Sequence, residues 1–94
     1  MRLHALERLC LNLSAQGQYA EATEAGLAAV ASEPLRESAH RALIAAHLAE
    51  GNQGEALRQY HACCRLLRRD LDLPPSTVLD ALVAHLRPGE VCAS

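Results

Sequence analysis

The stretch AQGQYAEA at residues 15–22 returns as AEGNQGEA at 49–56, so that Ala15, Gly17, Glu21 and Ala22 recur as Ala49, Gly51, Glu55 and Ala56, each 34 positions on. In both copies a glycine stands between two runs with helical apolar spacing. Glycine adopts the left-handed conformation that closes a helix, so Gly17 and Gly51 read as the bends of two helical hairpins. Counted outward from Leu3, the first unit spans Leu3–Arg36 and the second Glu37–Asp70. A unit of this size buries little on its own and gains its core by stacking on the next.

A 34-residue period with this punctuation predicts tetratricopeptide-like hairpins. The first helix is expected at about Leu3–Gln16, with Leu3, Leu6, Leu9 and Leu13 on one face and Cys10 beside them. The second is expected at Gln18–Ala31, where Ala22, Ala25, Gly26 and Ala29 leave room for a close neighbour. Pro34 ends it, and a third helix follows at about Arg36–Glu50. Asn52 and Glu55 form a variant capping box for a fourth helix running to about Asp70. Beyond the extended Pro74-Pro75 step, Ser76 caps a fifth helix at Thr77–Leu86. Its Val78, Leu79, Leu82, Val83 and Leu86 form a stripe that lids the second hairpin. The fold class expected is therefore all-α: two antiparallel hairpins in a right-handed stack, closed by a C-terminal helix. The domain covers residues 1–89, and 90–94 form a frayed tail.

Ninety-four residues allow one core. The apolar half of the composition is mostly Ala and Leu, with only Tyr19 and Tyr60 as aromatics, so volume must come from closely packed aliphatic helices. The net charge of −2 argues against a nucleic-acid-binding chain, which needs Lys and Arg on many phosphates. No apolar run reaches membrane-spanning length and no secretory segment opens the chain, so a cytoplasmic protein is expected. Cys10, Cys63, Cys64 and Cys92 lack CxxC spacing and imply no disulfide framework.

Five phrases carry a more specific likeness: Pro34-Leu35-Arg36-Glu37, Ala39-His40-Arg41, EALRQY at 55–60, the arginine-rich end of the fourth helix, and Leu73–Ser76. Together they resemble the bacterial transcriptional activator domain of the Streptomyces antibiotic regulatory protein family. In that family a tetratricopeptide-like domain follows an amino-terminal winged-helix DNA-binding domain. The resemblance spans nearly the whole chain and matches the later, larger part of the activator domain. Neither the winged helix nor the domain's opening helix has a counterpart here, so no DNA-reading role carries over to any residue. Cys64 replaces a usual basic residue, and Asp72 a usual glycine. Without the opening helix, the outer side of the first helix is expected to be exposed and to favour a homodimer.

Binding in such arrays falls on the surface lined by the first helix of each hairpin. That register selects His4, Glu7, Leu11 and Ser14, then Ser38, Arg41, Ala45 and Leu48, as exposed groove positions. Arg58, Arg65 and Arg69 line one side of the fourth helix, joined by Arg68; they read either as a docking face for an acidic partner or as a solvated, dipole-complementing end. His40 with His47, and His61 with Cys64, have ligand-like spacing, yet His40 and His47 fall at packing positions and no second ligand pair is fixed, so no metal or cofactor is expected. Ser14, Ser32, Ser38, Ser76 and the cysteines lack a glycine-rich elbow or an ordered base, so no enzyme is expected. Two functions fit. One is a protein-contact domain of a transcriptional regulator, meeting the transcription machinery or its own second subunit. The other is a stand-alone adaptor that takes a peptide or helix in its groove.

Overall fold

The computed structural model describes residues 2–86, with side chains from His4 onward. Five helices occur: α1 (Arg2–Ala15), α2 (Tyr19–Ser32), α3 (Glu37–Glu50), α4 (Gln53–Leu71) and α5 (Thr77–Ala84). No strand occurs among the described residues. Each helix lies against the next from α1 to α5, α1 also packs on α3, and α5 rests on α3 and α4 alone. Short bends joining α1 to α2 and α3 to α4 make each pair an antiparallel hairpin, an order consistent with a tetratricopeptide-like stack.

The two repeated bends are closed the same way. Gly17 and Gly51 take φ of 80° and 85°. At the first, Gly17 N–H donates to Ser14 O and Gln18 N–H to Leu13 O; at the second, Gly51 N–H donates to Leu48 O and Asn52 N–H to His47 O. This pair of hydrogen bonds satisfies carbonyls that the helix end would leave open, and the left-handed bend it needs explains why glycine recurs there. Asn52 Oδ1 then accepts Glu55 N–H at 3.4 Å, and Ser76 Oγ accepts Leu79 N–H at 3.2 Å, so the expected caps of α4 and α5 are both present. Glu55 directs its carboxylate to Arg58, 3.4 Å away.

Side-chain size divides the core in two. Around α1, α2 and the inner face of α3 lie Cys10, Ala22, Ala25, Ala42 and Ala46, with Leu13 at their edge. These side chains are short, and the helices close up accordingly: a Cβ placed on Gly26 would sit 3.0–3.1 Å from Cδ1, Cα and Cβ of Leu43. Between α3, α4 and α5 the residues are larger, with Ile44, Tyr60, Leu67, Leu79 and Val83 buried beside Cys63 and Cys64. Each fully buried aliphatic or aromatic side chain contributes about 1.5–3 kcal/mol.

Polar side chains tie together the elements of the second half. His40 Nε2 lies 2.7 Å from Pro34 O, and its Nδ1 lies 2.9 Å from Gln59 Nε2. The Nε2–H tautomer meets both partners, donating to the carbonyl and accepting from the amide. Tyr60 Oη donates to Asp80 Oδ1 at 2.6 Å, and Ser76 N–H donates to Glu37 Oε2 at 2.9 Å. The start and middle of α5 are thereby tied to α3 and α4.

Several expectations need correction. α2 begins at Tyr19 and ends at Ser32, α3 begins at Glu37, α4 continues to Leu71, and α5 stops at Ala84. Leu9 is 47% exposed: the side of α1 that faces α2 and α3 is the one carrying Cys10 and Glu7, which leaves Leu9 outward. Val78 is 54% exposed, because α5 turns Leu79 and Val83 inward and its first valine falls off the buried stripe. Glu7, expected in an exposed groove, is buried. Its Oε2 accepts both Arg36 Nε–H at 2.8 Å and Ser38 Oγ–H at 2.9 Å, which compensates the buried carboxylate. The domain limit at residue 89 and the tail at 90–94 lie outside the described residues.

Candidate interaction surface

Ser38, Arg41, Ala42 and Ala45 follow i, i+3, i+4, i+7 and so form one stripe along α3. On one side of this stripe stands Leu11 of α1, and on the other stand Val78 and Leu82 of α5; together they bound a groove of about 240 Å³. α1 and α5 each pack on α3 with no close backbone approach to one another, so α3 is the floor and the two outer helices are the walls. The floor is low because Ala42 and Ala45 have short side chains. Leu11, 47% exposed, and Val78 present aliphatic surface to whatever enters.

The polar groups of the groove differ in commitment. Ser38 spends its hydroxyl proton on Glu7, which Arg36 also holds. Arg41 has a buried Nε that meets no hydrogen-bond acceptor. Behind the floor, Cys10 Sγ donates to Ala42 O at 3.3 Å. Burial pushes the Cys10 thiol above its ordinary value, with smaller opposing effects from Ser14 and the Gly26 backbone. Such a thiol is a packing group, not a nucleophile.

Of the groove positions chosen by register, Leu11, Ser38, Arg41 and Ala45 converge here. His4 is exposed but lies outside this lining, and Glu7 sits beneath Ser38. Ser14 turns its hydroxyl back to Cys10 O at 2.9 Å, and Leu48 packs against the α3–α4–α5 core. Val78 and Leu82 were not foreseen as walls. A signal for them was present: five apolar residues between Val78 and Leu86 cover an arc of about 140° at helical spacing, wider than a short lid can bury.

The arginines of α4 are largely satisfied by neighbours. Arg58 lies 3.4 Å from Glu55, Arg68 3.1 Å from Asp72, and Arg69 2.7 Å from Asp70, all at the surface. Hydrogen bonding to Arg69 holds Asp70 below the usual carboxylate range, and the same bond raises Arg69. Arg65 is exposed. Local pairing of this kind describes a solvated face.

A second, more open furrow of about 440 Å³ runs along the outer side of the first hairpin, between Leu6, Leu9 and Leu13 of α1 and Ala25 and Ala28 of α2. Gln18, Glu21 and Glu24 rim it. Among the described residues, no three His, Cys, Asp or Glu side chains gather as a metal site would require, and no helix is long and apolar enough to cross a membrane. His40 and His47 are buried between helices, while the His61 ring meets Tyr60 edge-on at 5.2 Å.

The family model described as bacterial transcriptional activator domain matches residues 1–87. No curated protein and no solved structure matches the chain.

Proposed function

The chain belongs to the bacterial transcriptional activator domain family, and from that premise we propose that it is the protein-contact domain of a transcriptional regulator, which seats a segment of the transcription machinery in the groove between α1, α3 and α5. The observation that carries this reading is the groove itself. Exposed Leu11 and Val78 flank a floor of small residues, an arrangement suited to an incoming helix or extended segment. The family is one of regulatory domains, and a contact role needs no catalytic group. Its place of work is the cytoplasm, where transcription machinery is found.

The test is a fusion of the chain to an unrelated DNA-binding domain, placed upstream of a weak promoter with a reporter. Activation above that of the DNA-binding domain alone is expected. Leu11→Asp and Val78→Asp should remove it, whereas Leu27→Asp, on an exposed part of α2 outside the groove, should not. A silent fusion, or a Leu11→Asp variant as active as the parent, overturns the proposal. If the fusion is silent while the groove still binds peptides, the stand-alone adaptor is the better account.

The outer furrow supports a second contact, between two copies of the chain. Its open leucine-lined surface is of the kind that pairs. Sedimentation at high concentration that shows only monomer removes this second reading.

A further inference from the structure

We infer that the groove selects its occupant by a carboxylate: the partner segment carries an aspartate or glutamate flanked by aliphatic side chains, and this acid pairs with Arg41. The inference rests on the groove being a docking surface, as proposed above.

Arg41 stands apart among the arginines whose side chains are described. Arg36, Arg58, Arg68 and Arg69 each have an acidic partner within the chain. Arg8 and Arg65 are exposed to water. Arg41 alone among them lines the groove, and it has no acidic partner among the described residues. Its Nε is enclosed without an acceptor, and a half-buried guanidinium with no anion beside it calls for an explanation. The acids at the same end of α3 cannot be that explanation, since Glu7 is held by Arg36 and Ser38 and Glu37 by the Ser76 backbone. An incoming carboxylate can take the terminal N–H groups of the guanidinium, in the fork geometry for which arginine is shaped. The walls beside it are Leu11, Val78 and Leu82, which ask for aliphatic neighbours on the partner. One guanidinium between apolar walls does not suit a nucleic acid, which needs several cations spaced along its phosphates.

A selection of displayed 12-residue peptides against the folded chain tests this. Enriched sequences should carry Asp or Glu three or four residues from Leu, Ile, Val, Met or Phe. The strongest binder, resynthesised, should lose affinity about tenfold when its acid is changed to the amide. That difference should vanish on Arg41→Gln, which should bind the amide form as the parent chain does. Because the acid-to-amide change is made in the peptide, it stays readable even if Arg41→Gln fails to fold. No enriched sequences, enrichment without acids, equal affinity for acid and amide forms, or displacement by a single-stranded oligonucleotide overturns the inference. If Leu11→Asp abolishes binding but the acid makes no difference, docking stands and carboxylate selection falls. If Leu11→Asp changes nothing either, both fall.

Discussion

Tyr60 of α4 donates its phenolic proton to the carboxylate of Asp80 in α5, with 2.6 Å between the oxygens. The ring is buried and the acid half-buried, so the bond is made where water competes poorly. A helix of eight residues has little stability of its own, and this bond helps to hold it on the second hairpin. Tyr60→Phe keeps the ring and removes the donor. It should lower stability by about 1.5–3 kcal/mol, the range for a hydrogen bond to a charged group. Urea unfolding should show a lower midpoint with the slope unchanged.

Gly26 lets α2 approach α3 at Leu43. In an exposed helix Gly→Ala would add about 1 kcal/mol of stability. Here the new methyl would collide with the side chain and backbone of Leu43, and overpacking of that kind costs about 1–3 kcal/mol. Gly26→Ala should therefore destabilise on balance. Trimming Leu43 to Ala in the same chain should not rescue it, because the Leu43 Cα and Cβ still stand 3.1 Å away.

Asp72 is the one non-glycine residue with positive φ among those described, at 55°, and it ends α4 as Gly17 and Gly51 end α1 and α3. Its pairing with Arg68 is solvent-exposed and worth little. Asp72→Gly should relieve the backbone strain and stabilise the chain by about 0.5 kcal/mol, a rise of a few degrees in Tm. Gly51→Ala should do the opposite, losing about 1 kcal/mol. Thermal unfolding followed by circular dichroism measures both.

Cys10 gives a pH dependence whose sign is determined. Burial lifts its thiol above the ordinary value of 9.0. Below that value both folded and unfolded chains keep the proton, and the contribution of the buried thiol is intact. As pH rises past it, the unfolded chain loses the proton first, so stability falls through the alkaline range up to the folded thiol's own titration. A Cys10→Ala variant should show a smaller decline above that point, though it starts from lower stability because of the cavity. In a Cys92→Ser background, thiol modification of buried Cys10, Cys63 and Cys64 should follow unfolding rather than protein age.

The helices were readable because their ends are marked by residues with a single local use. Gly17 and Gly51 can take the left-handed bend, Pro34 cannot continue a helix, and Ser76 offers a capping oxygen. The small-residue seam of α2 was readable for the same reason, since Ala22, Ala25, Gly26 and Ala29 admit a neighbour whichever helix it is. What stayed hidden depends on partners distant along the chain. Glu7 looks like a surface acid until Arg36 and Ser38 close over it from 29 and 31 positions away. Cys63 and Cys64, adjacent on α4, are both buried in the core shared with α3 and α5. Half of the groove register failed in the same way: it describes a two-helix surface, while the real groove has a further wall on a third helix, α5.

The wall supplied by α5 would make binding and folding reciprocal. α5 touches only α3 and α4, yet its Val78 and Leu82 complete the groove, so a segment seated there must favour the docked position of α5 over any lifted one. If the groove takes a segment as proposed, then by linkage every contact that secures α5 also tightens the groove for it, including the bond from the Ser76 amide to Glu37, 39 residues earlier. The proposed docking would thus be tunable from residues that the partner segment never reaches.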